Sequence, residues 1–342
     1  MNMSQFWILI IATTLSFLLT GLLRRYALAK SLMDVPNNRS SHSTPTPRGG
    51  GVSIVITFLA GLLYLWFIHL VSTDFLFALF GAGAIIAIIG FIDDHGHIAA
   101  RWRLLGHFTS AIWLVFWLGG LPVLTIFGES FNLTWIGDVL LIIGLVWFLN
   151  LYNFMDGIDG IASVEALSST LIVILLFLFV FNHEDIVSLN IIMFAAVAGF
   201  LMWNFPPAKI FMGDAGSGFL GLMLGAIALS SLHIAYQMLW VWLILLGVFI
   251  VDATYTLLRR LMRGEKIYEA HRSHAYQYAS RKYSSHLPVT LGVLFINISW
   301  LAPWSYVVAI DVVGGVVGVL CAYLPLLWLA WYFRAGEEEA NS

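Results

Sequence analysis

The sequence predicts an all-α integral membrane protein: a polytopic bundle of about eleven transmembrane helices forming one membrane-embedded domain over residues 1–342. Three observations predict it. Of the 342 residues, 60% are hydrophobic and only 10% charged, where a soluble domain carries roughly 25% charged residues. Nearly every apolar run lasts about 17 residues or more, the length that crosses about 30 Å of hydrocarbon at about 1.5 Å per residue. All the lysines and arginines fall on one set of connecting loops.

The first apolar segment, 4–23, has no positive charge before it and Arg24-Arg25 after it. That order is the reverse of a secretory signal peptide, despite the small residues Ala27-Leu28-Ala29. An uncleaved first helix with its N-terminus outside is expected. Further segments fall at 51–71, 75–92, 104–127, 138–152, 161–181, 187–203, 217–233, 236–258, 288–303 and 306–333. The fifth is short and the fourth contains Gly119, Gly120 and Pro122, so a break is expected between 104 and 152. Polar loops connect the segments at 24–50, 93–103, 153–160, 204–216 and 259–287, and an acidic tail covers 336–342.

All sixteen basic residues follow helices one, three, seven, nine and eleven, which makes that face cytoplasmic, the N-terminus periplasmic and the C-terminus cytoplasmic. The opposite loops carry Asp74, Glu129, Glu184 and Asp185 and no basic residue. No internal repeat of the transporter kind is visible. Asp252 is read as the one acid well inside an apolar segment, Glu337-Glu338-Glu339 as a solvated end, and the lone Cys321 as a core-filling thiol. Gly81, Gly83, Gly221 and Gly225 are read as helix-packing residues, which permit a homodimer without requiring one. The expected surroundings are the lipid bilayer, with no nucleic-acid partner.

Chemistry gathers at the cytoplasmic helix ends. Asp93-Asp94 stand in FIDDHGH, Asp156 and Asp159 in NLYNFMDGIDG, and Asp214 in FMGDAGSG. A carboxylate at a membrane helix end is costly unless paired. One such aspartate reads as a helix cap; five on one face call for a divalent cation, and oxygen-only ligands beside glycines suggest Mg²⁺ or Mn²⁺ rather than zinc. Gly157 and Gly160, and the glycines around Asp214, let a diphosphate approach the backbone and the helix N-termini that follow. Neither stretch is a Walker A loop. Asn150 and Asn153, a turn apart, suit a metal-bound water, a sugar hydroxyl or an interhelical hydrogen bond. His271-Arg272-Ser273-His274 offers two imidazoles, on one face if helical, beside a guanidinium suited to phosphate oxygens; a zinc site is the rival reading. His95, His97 and His107 flank the aspartate pair without a defined role. His42 and Arg48 lie in RSSHSTPTPRGGG, a composition suited to phosphate contact or to a flexible loop.

Assembled, these residues resemble the bacterial polyprenyl-phosphate N-acetylhexosamine-1-phosphate transferases, the family of the WecA and MraY enzymes. The resemblance covers roughly residues 34–277 and is carried by HSTPTPRGGG, Asp93-Asp94, NLYNFMDGIDGIA, FMGDAGSGFLG and the 271–274 motif. It implies transfer of a sugar 1-phosphate from a UDP-N-acetylhexosamine to undecaprenyl phosphate, with release of UMP, at a Mg²⁺-dependent cytoplasmic site in the bacterial inner membrane. Carried over by position, Asp93, Asp94, His271 and His274 become catalytic, Asp156 and Asp214 metal ligands, and Asn153 and Asp159 nucleotide contacts; Asn150, Gly157, Gly160, Arg272, His42 and Arg48, read from their own chemistry, are the further candidate substrate contacts. HRSH in place of consecutive histidines, and the absence of a lysine soon after Asp94, separate this chain from the muramoyl-pentapeptide branch. HRSHAYQ and DDHGHIAARWR look more like the O-antigen-initiating branch, whose donors carry N-acetylfucosamine, N-acetylquinovosamine or N-acetylglucosamine.

A polytopic anion or lipid transporter is the rival from another class. It predicts acids near the bilayer midplane and broken helices. A membrane phosphatase or pyrophosphatase would use the same metal chemistry with water as nucleophile.

Overall fold

The structure is a computed structural model that describes residues 2–36, 42, 44–96, 98–265 and 272–337. His97 and His271, expected near the site, lie outside the described residues. The chain is helical almost throughout, as a backbone in hydrocarbon must be to satisfy its own N–H and C=O groups. In order the helices are α1 (Met3–Ala29), α2 (Val52–Phe67), α3 (Thr73–His95), α4 (Ala100–Leu118), α5 (Thr134–Met155), α6 (Ile161–Leu176), α7 (Glu184–Asn204), α8 (Asp214–Ile234), α9 (Met238–Leu245), α10 (Gly247–Met262), α11 (Ala275–Lys282), α12 (Leu287–Ile296), α13 (Ala302–Ala309) and α14 (Gly315–Tyr332). Two short antiparallel pairs complete the fold, β1 (Met33–Asp34) with β2 (Thr46–Pro47), and β3 (Leu124–Ile126) with β4 (Glu129–Phe131).

Among the described residues, eight helical stretches are long and apolar enough to span a membrane, or nine if the bent pair α9 and α10 is one span. Each of the eleven predicted segments coincides with a helix or helix pair, although the 16-residue α2 is short for a span. Three boundaries differ. The segment predicted to reach residue 127 stops as α4 at Leu118, because Gly119 and Gly120 both take positive φ and a β3–β4 hairpin follows. The tenth runs on through a π-helical turn (Asn297–Leu301) into α13, and the break falls after Ala309 instead of near residue 304. The ninth bends by 70° between α9 and α10.

α8 is the centre of the bundle, with 89% of its apolar window buried, whereas α1 has 17%. The glycines read as packing residues sit where helices approach closely: a Cβ on Gly221 would lie 2.9 Å from the Leu149 backbone of α5, and one on Gly81 2.3 Å from the Trp113 ring of α4. α8 therefore lies tightly against α5, and its N-terminus opens toward the basic loops.

Two expectations about acids change. Glu165 of α6, not only Asp252, is buried within an apolar segment; at 0% exposure it accepts a hydrogen bond from Asn297 Nδ2 at 2.6 Å. Glu337 is not simply a solvated end, since it pairs with Arg259 at 2.8 Å.

Candidate active site

The site is organised by α3 packing antiparallel alongside α8, Gly83 against Phe219 and Gly90 against Ala215, so that the end of α3 meets the start of α8. Asp94, 3% exposed, accepts the backbone N–H groups of Asp214 at 3.0 Å and Ala215 at 3.2 Å, so both its oxygens cap the α8 N-terminus from another helix. This approach needs glycine on both sides. A Cβ on Gly90 would lie 2.5 Å from the Ala215 backbone, and Gly213 has φ +79° with the Asp94 carboxylate filling the space its side chain would take. Arg48 Nη2 donates to the Asp94 carbonyl. The first loop is brought there by β1 and β2 and by backbone bonds from Gly50 N to Phe211 O (2.9 Å), Gly51 N to Met212 O (2.8 Å) and Phe211 N to Pro47 O (2.8 Å).

A polar cavity of about 290 Å³ opens among these loops. Of the residues expected from sequence, His42, Arg48, Asp94, Asn153, Asp156, Gly157, Asp159 and Asp214 all line it. Asn153 Nδ2 donates to Asp214 Oδ1 at 2.8 Å and to Ser217 Oγ at 2.7 Å, tying the end of α5 to α8. Asp156, just past α5, is held well above the usual carboxylate range by burial and then by the carboxylates of Asp214, Asp94 and Asp159. His42 packs its ring 4.9 Å from Phe211, and its Nε2 is buried with no hydrogen-bond partner among the described residues.

A second cavity of about 180 Å³ lies between α3, α4, α5 and α8. It contains Asp93, Asn150, His107, which the sequence left without a role, and Arg103, which it did not single out for the site, walled by Ile86, Ile89, Leu104 and Leu149. Arg103 Nη1 donates to Asp93 Oδ2 at 2.7 Å and stands 4.0 Å from Asp214 Oδ2. Asn153 and Asp214 line both cavities. The adjacent aspartates thus face different places: Asp94 the polar cavity and the α8 backbone, Asp93 the amphipathic one.

Other expected residues stand elsewhere. Arg272–His274 precede α11 and are not helical, and His274 stands at the α11 N-cap position; the histidine pairing expected from sequence involves His271, outside the described residues. His274, 2% exposed, lies 3.4 Å from Asp252 Oδ1, and Asp252 also accepts the N–H groups of Ala275 (2.9 Å) and Tyr276 (3.0 Å). The intramembrane acid therefore caps α11. Arg272 is not among the cavity residues; its carbonyl accepts Arg281 Nη2 at 3.1 Å. Gly160 lies behind the cavity with φ +74°, its N–H donated to Asn204 Oδ1 at 3.0 Å. Tyr276 of α11 donates its hydroxyl to Phe154 O at 2.9 Å and leaves no room for a Cβ on Gly157.

The polar cavity also contains Asp34, Asn204, Ser217, Gln277 and His286, none singled out from sequence. Ser217 sits in the FMGDAGSG string and could have been found there. Asp34 and His286 belong to no motif and carry no local signal.

The cavity fits a divalent cation. Among the described residues no three of His, Cys, Asp or Glu form a ready cage, but Mg²⁺ takes one or two carboxylates and fills the rest of its shell with water and substrate phosphate. Asp156 is raised by burial first and by the neighbouring carboxylates second, and the crowding of negative charge is the part that such an ion relieves.

Fold and site together define a polytopic membrane protein with an acid-lined polar cavity at the loop end of its bundle. The profile of the family described as Glycosyl transferase family 4 matches residues 76–232, from α3 through α8. The chain is 32% identical over 268 residues, 75% of its length and 72% of the relative's, to a probable undecaprenyl-phosphate N-acetylglucosaminyl 1-phosphate transferase of Bacillus subtilis. It is 28% identical, over 78% of its length and 79% of the relative's, to an undecaprenyl-phosphate alpha-N-acetylglucosaminyl 1-phosphate transferase of Thermotoga maritima. It is also 30% identical to a phospho-N-acetylmuramoyl-pentapeptide-transferase of Streptococcus mutans, over 73% and 79%. The chain belongs to glycosyl transferase family 4, the polyprenyl-phosphate N-acetylhexosamine-1-phosphate transferases that its motifs resemble.

Proposed function

We propose that this protein transfers a sugar 1-phosphate from a UDP-N-acetylhexosamine to undecaprenyl phosphate at the cytoplasmic face of the bacterial inner membrane, releasing UMP. The lipid-linked product starts a cell-surface polysaccharide such as O-antigen, and the donor sugar is of the N-acetylfucosamine, N-acetylquinovosamine or N-acetylglucosamine type. The observation that carries the reading is the pair of cavities, one polar and one amphipathic, that meet at Asn153 and Asp214. A water-soluble nucleotide sugar and a lipid phosphate need such a junction.

In this reading the polar cavity takes the donor. Arg48, His42, Asn153 and the Gly157 backbone contact its diphosphate and sugar, and Asp159 its nucleoside. Asp156 and Asp214 hold Mg²⁺, or Mn²⁺, which supplies neutralisation of the diphosphate charge when bound. The amphipathic cavity takes the acceptor phosphate, with Arg103, His107 and Asn150 as its polar contacts. An apolar groove of about 310 Å³ on α5, α8, α9 and α10 gives the prenyl tail a place to lie along the same two central helices. An acceptor oxygen forms the new bond to the sugar-bearing phosphorus while the bridging oxygen leaves with UMP. Alignment of the two anions and cancellation of their repulsion supply most of the rate. Asp93 is the carboxylate on the acceptor's side and either takes its last proton or orients Arg103. Asp94 and His274 act by holding α8 and α11 in place.

The test is to incubate the purified protein in detergent with undecaprenyl phosphate, Mg²⁺ and a panel of UDP-N-acetylhexosamines, with Asp214→Asn as control. UMP and lipid product are expected only when acceptor and metal are both present, and the best donor names the sugar. No product from any donor, with movement of a labelled anion across liposomes instead, overturns the reading in favour of transport.

A further inference from the structure

His286 lies beyond the region matched by the family profile and outside every motif, yet it lines the polar cavity. It stands at the N-cap position of α12, where the chain leaves the basic end of the bundle. Its Nδ1 is 3.2 Å from Asp159 Oδ1 and 3.3 Å from the Asp159 backbone nitrogen. One turn further on, Thr290 Oγ1 donates to the Asp159 carbonyl at 2.8 Å. The other carboxylate oxygen, Oδ2, accepts the Ala208 N–H at 3.0 Å.

The start of α12 thus holds Asp159 at two points, Thr290 on its carbonyl and His286 on its Oδ1 edge; Nδ1 serves one group at a time, and when it carries a hydrogen it donates to Oδ1. Asp159 lies in a glycine-flanked loop between α5 and α6, where nothing local defines a rotamer. Without the imidazole, its carboxylate is held by one oxygen alone and can turn about that bond. A loop carboxylate recognises a ligand only as well as its orientation is defined, since each unfixed torsion must be ordered on binding.

We propose that His286 is a positioning residue for the donor nucleotide, fixing the Asp159 carboxylate in the orientation that binds it. The inference rests on the reading that Asp159 contacts the nucleotide half of a UDP-sugar. It makes α12 part of the donor site through Asp159, with the chemical step carried by other residues.

The ring's Nδ1 alone reaches Asp159, so substitutions can separate its two edges. In His286→Asn one carboxamide atom occupies the Nδ1 position, and with Nδ2 there it donates to Asp159 Oδ1. In His286→Gln the carboxamide falls at the Nε2 position instead. In His286→Leu neither group is present. The measurements are titration of UDP into the full-length protein in detergent, and KM and kcat for the donor that gives product.

Leu and Gln are expected to weaken UDP binding and raise donor KM about tenfold, the order of one lost orienting hydrogen bond. kcat is expected to change less than about twofold on the same argument, with Asn restoring most of the affinity. UDP affinity unchanged in both Leu and Gln overturns the proposal. So does a fall in kcat at constant UDP affinity, which would make the ring a participant in the chemistry. If Leu fails to fold, the contrast of Asn with Gln decides alone: equal affinities overturn the proposal. Failure of the nucleotide reading itself is distinct, because the unsubstituted protein would then bind no UDP.

Discussion

Replacing Asp94 by Asn tests whether this carboxylate holds the site together or takes part in the chemistry. Its two oxygens accept the N–H groups of Asp214 and Ala215 at 3.0 and 3.2 Å. An asparagine keeps one acceptor and presents an NH₂ to the other N–H, so one charge-assisted bond is lost and a donor faces a donor. A hydrogen bond to a charged group contributes about 1.5–3 kcal/mol, and a negative charge at a helix N-terminus about 0.3–2 kcal/mol. The combined loss is about 2–4 kcal/mol, and a membrane bundle of this size should lose several degrees of melting temperature. The α8 start carries Asp214, so Mg²⁺ affinity should weaken as well. Melting by intrinsic tryptophan fluorescence, Mg²⁺ titration and turnover are compared across Asp94→Asn, Asp94→Glu and Asp93→Asn. Loss of turnover in Asp94→Asn together with lower melting temperature and weaker Mg²⁺ binding is expected. Asp93→Asn, which leaves α8 capped, should lose turnover with a smaller effect on both. An Asp94→Asn protein that melts normally and binds Mg²⁺ normally but does not turn over refutes the reasoning and makes Asp94 chemical.

The raised carboxyl of Asp156 sets a pH dependence for the metal. Because the metal-free site keeps its proton to higher pH than a free aspartate, whose pKa is about 3.9, Mg²⁺ must displace that proton. Affinity should rise with pH by up to about tenfold per unit until the group is ionised, then level off; Asp156→Asn should weaken binding and lessen the slope, and a pH-independent Kd in the unsubstituted protein would count against the assignment. Gly90→Leu would drive a side chain into the Ala215 backbone; loss of folded protein in size-exclusion chromatography is expected, whereas a normally melting variant would show that α3 and α8 do not meet there. Arg103→Leu removes the partner of Asp93 and should raise KM for undecaprenyl phosphate more than KM for the UDP-sugar. An effect confined to the donor would place Arg103 in the wrong cavity.

Much of the bundle was legible in the sequence because the bilayer imposes simple rules: span length, apolar composition and unpaired charge at one face are local properties of each segment. The boundaries that slipped had tertiary causes. Gly119 and Gly120 read as a possible break, but the helix end depends on the conformation they adopt, and the turn after Ala309 is set by packing that includes Tyr236 donating to Asp311 at 2.7 Å. Most of the polar cavity was also legible, because its residues come in compact strings at helix ends.

What the sequence by itself determined is the membrane class, the family and the identity of the acidic strings, each carried by residues close together in the chain. Only the tertiary structure decided that adjacent Asp93 and Asp94 turn to different cavities, since successive residues on a helix point about 100° apart and their neighbours lie on other elements. Only it showed that Asp252 caps α11, and that Asp34 and His286 join the cavity from opposite ends of the chain. Such roles come from contacts between distant segments, which a local pattern does not encode.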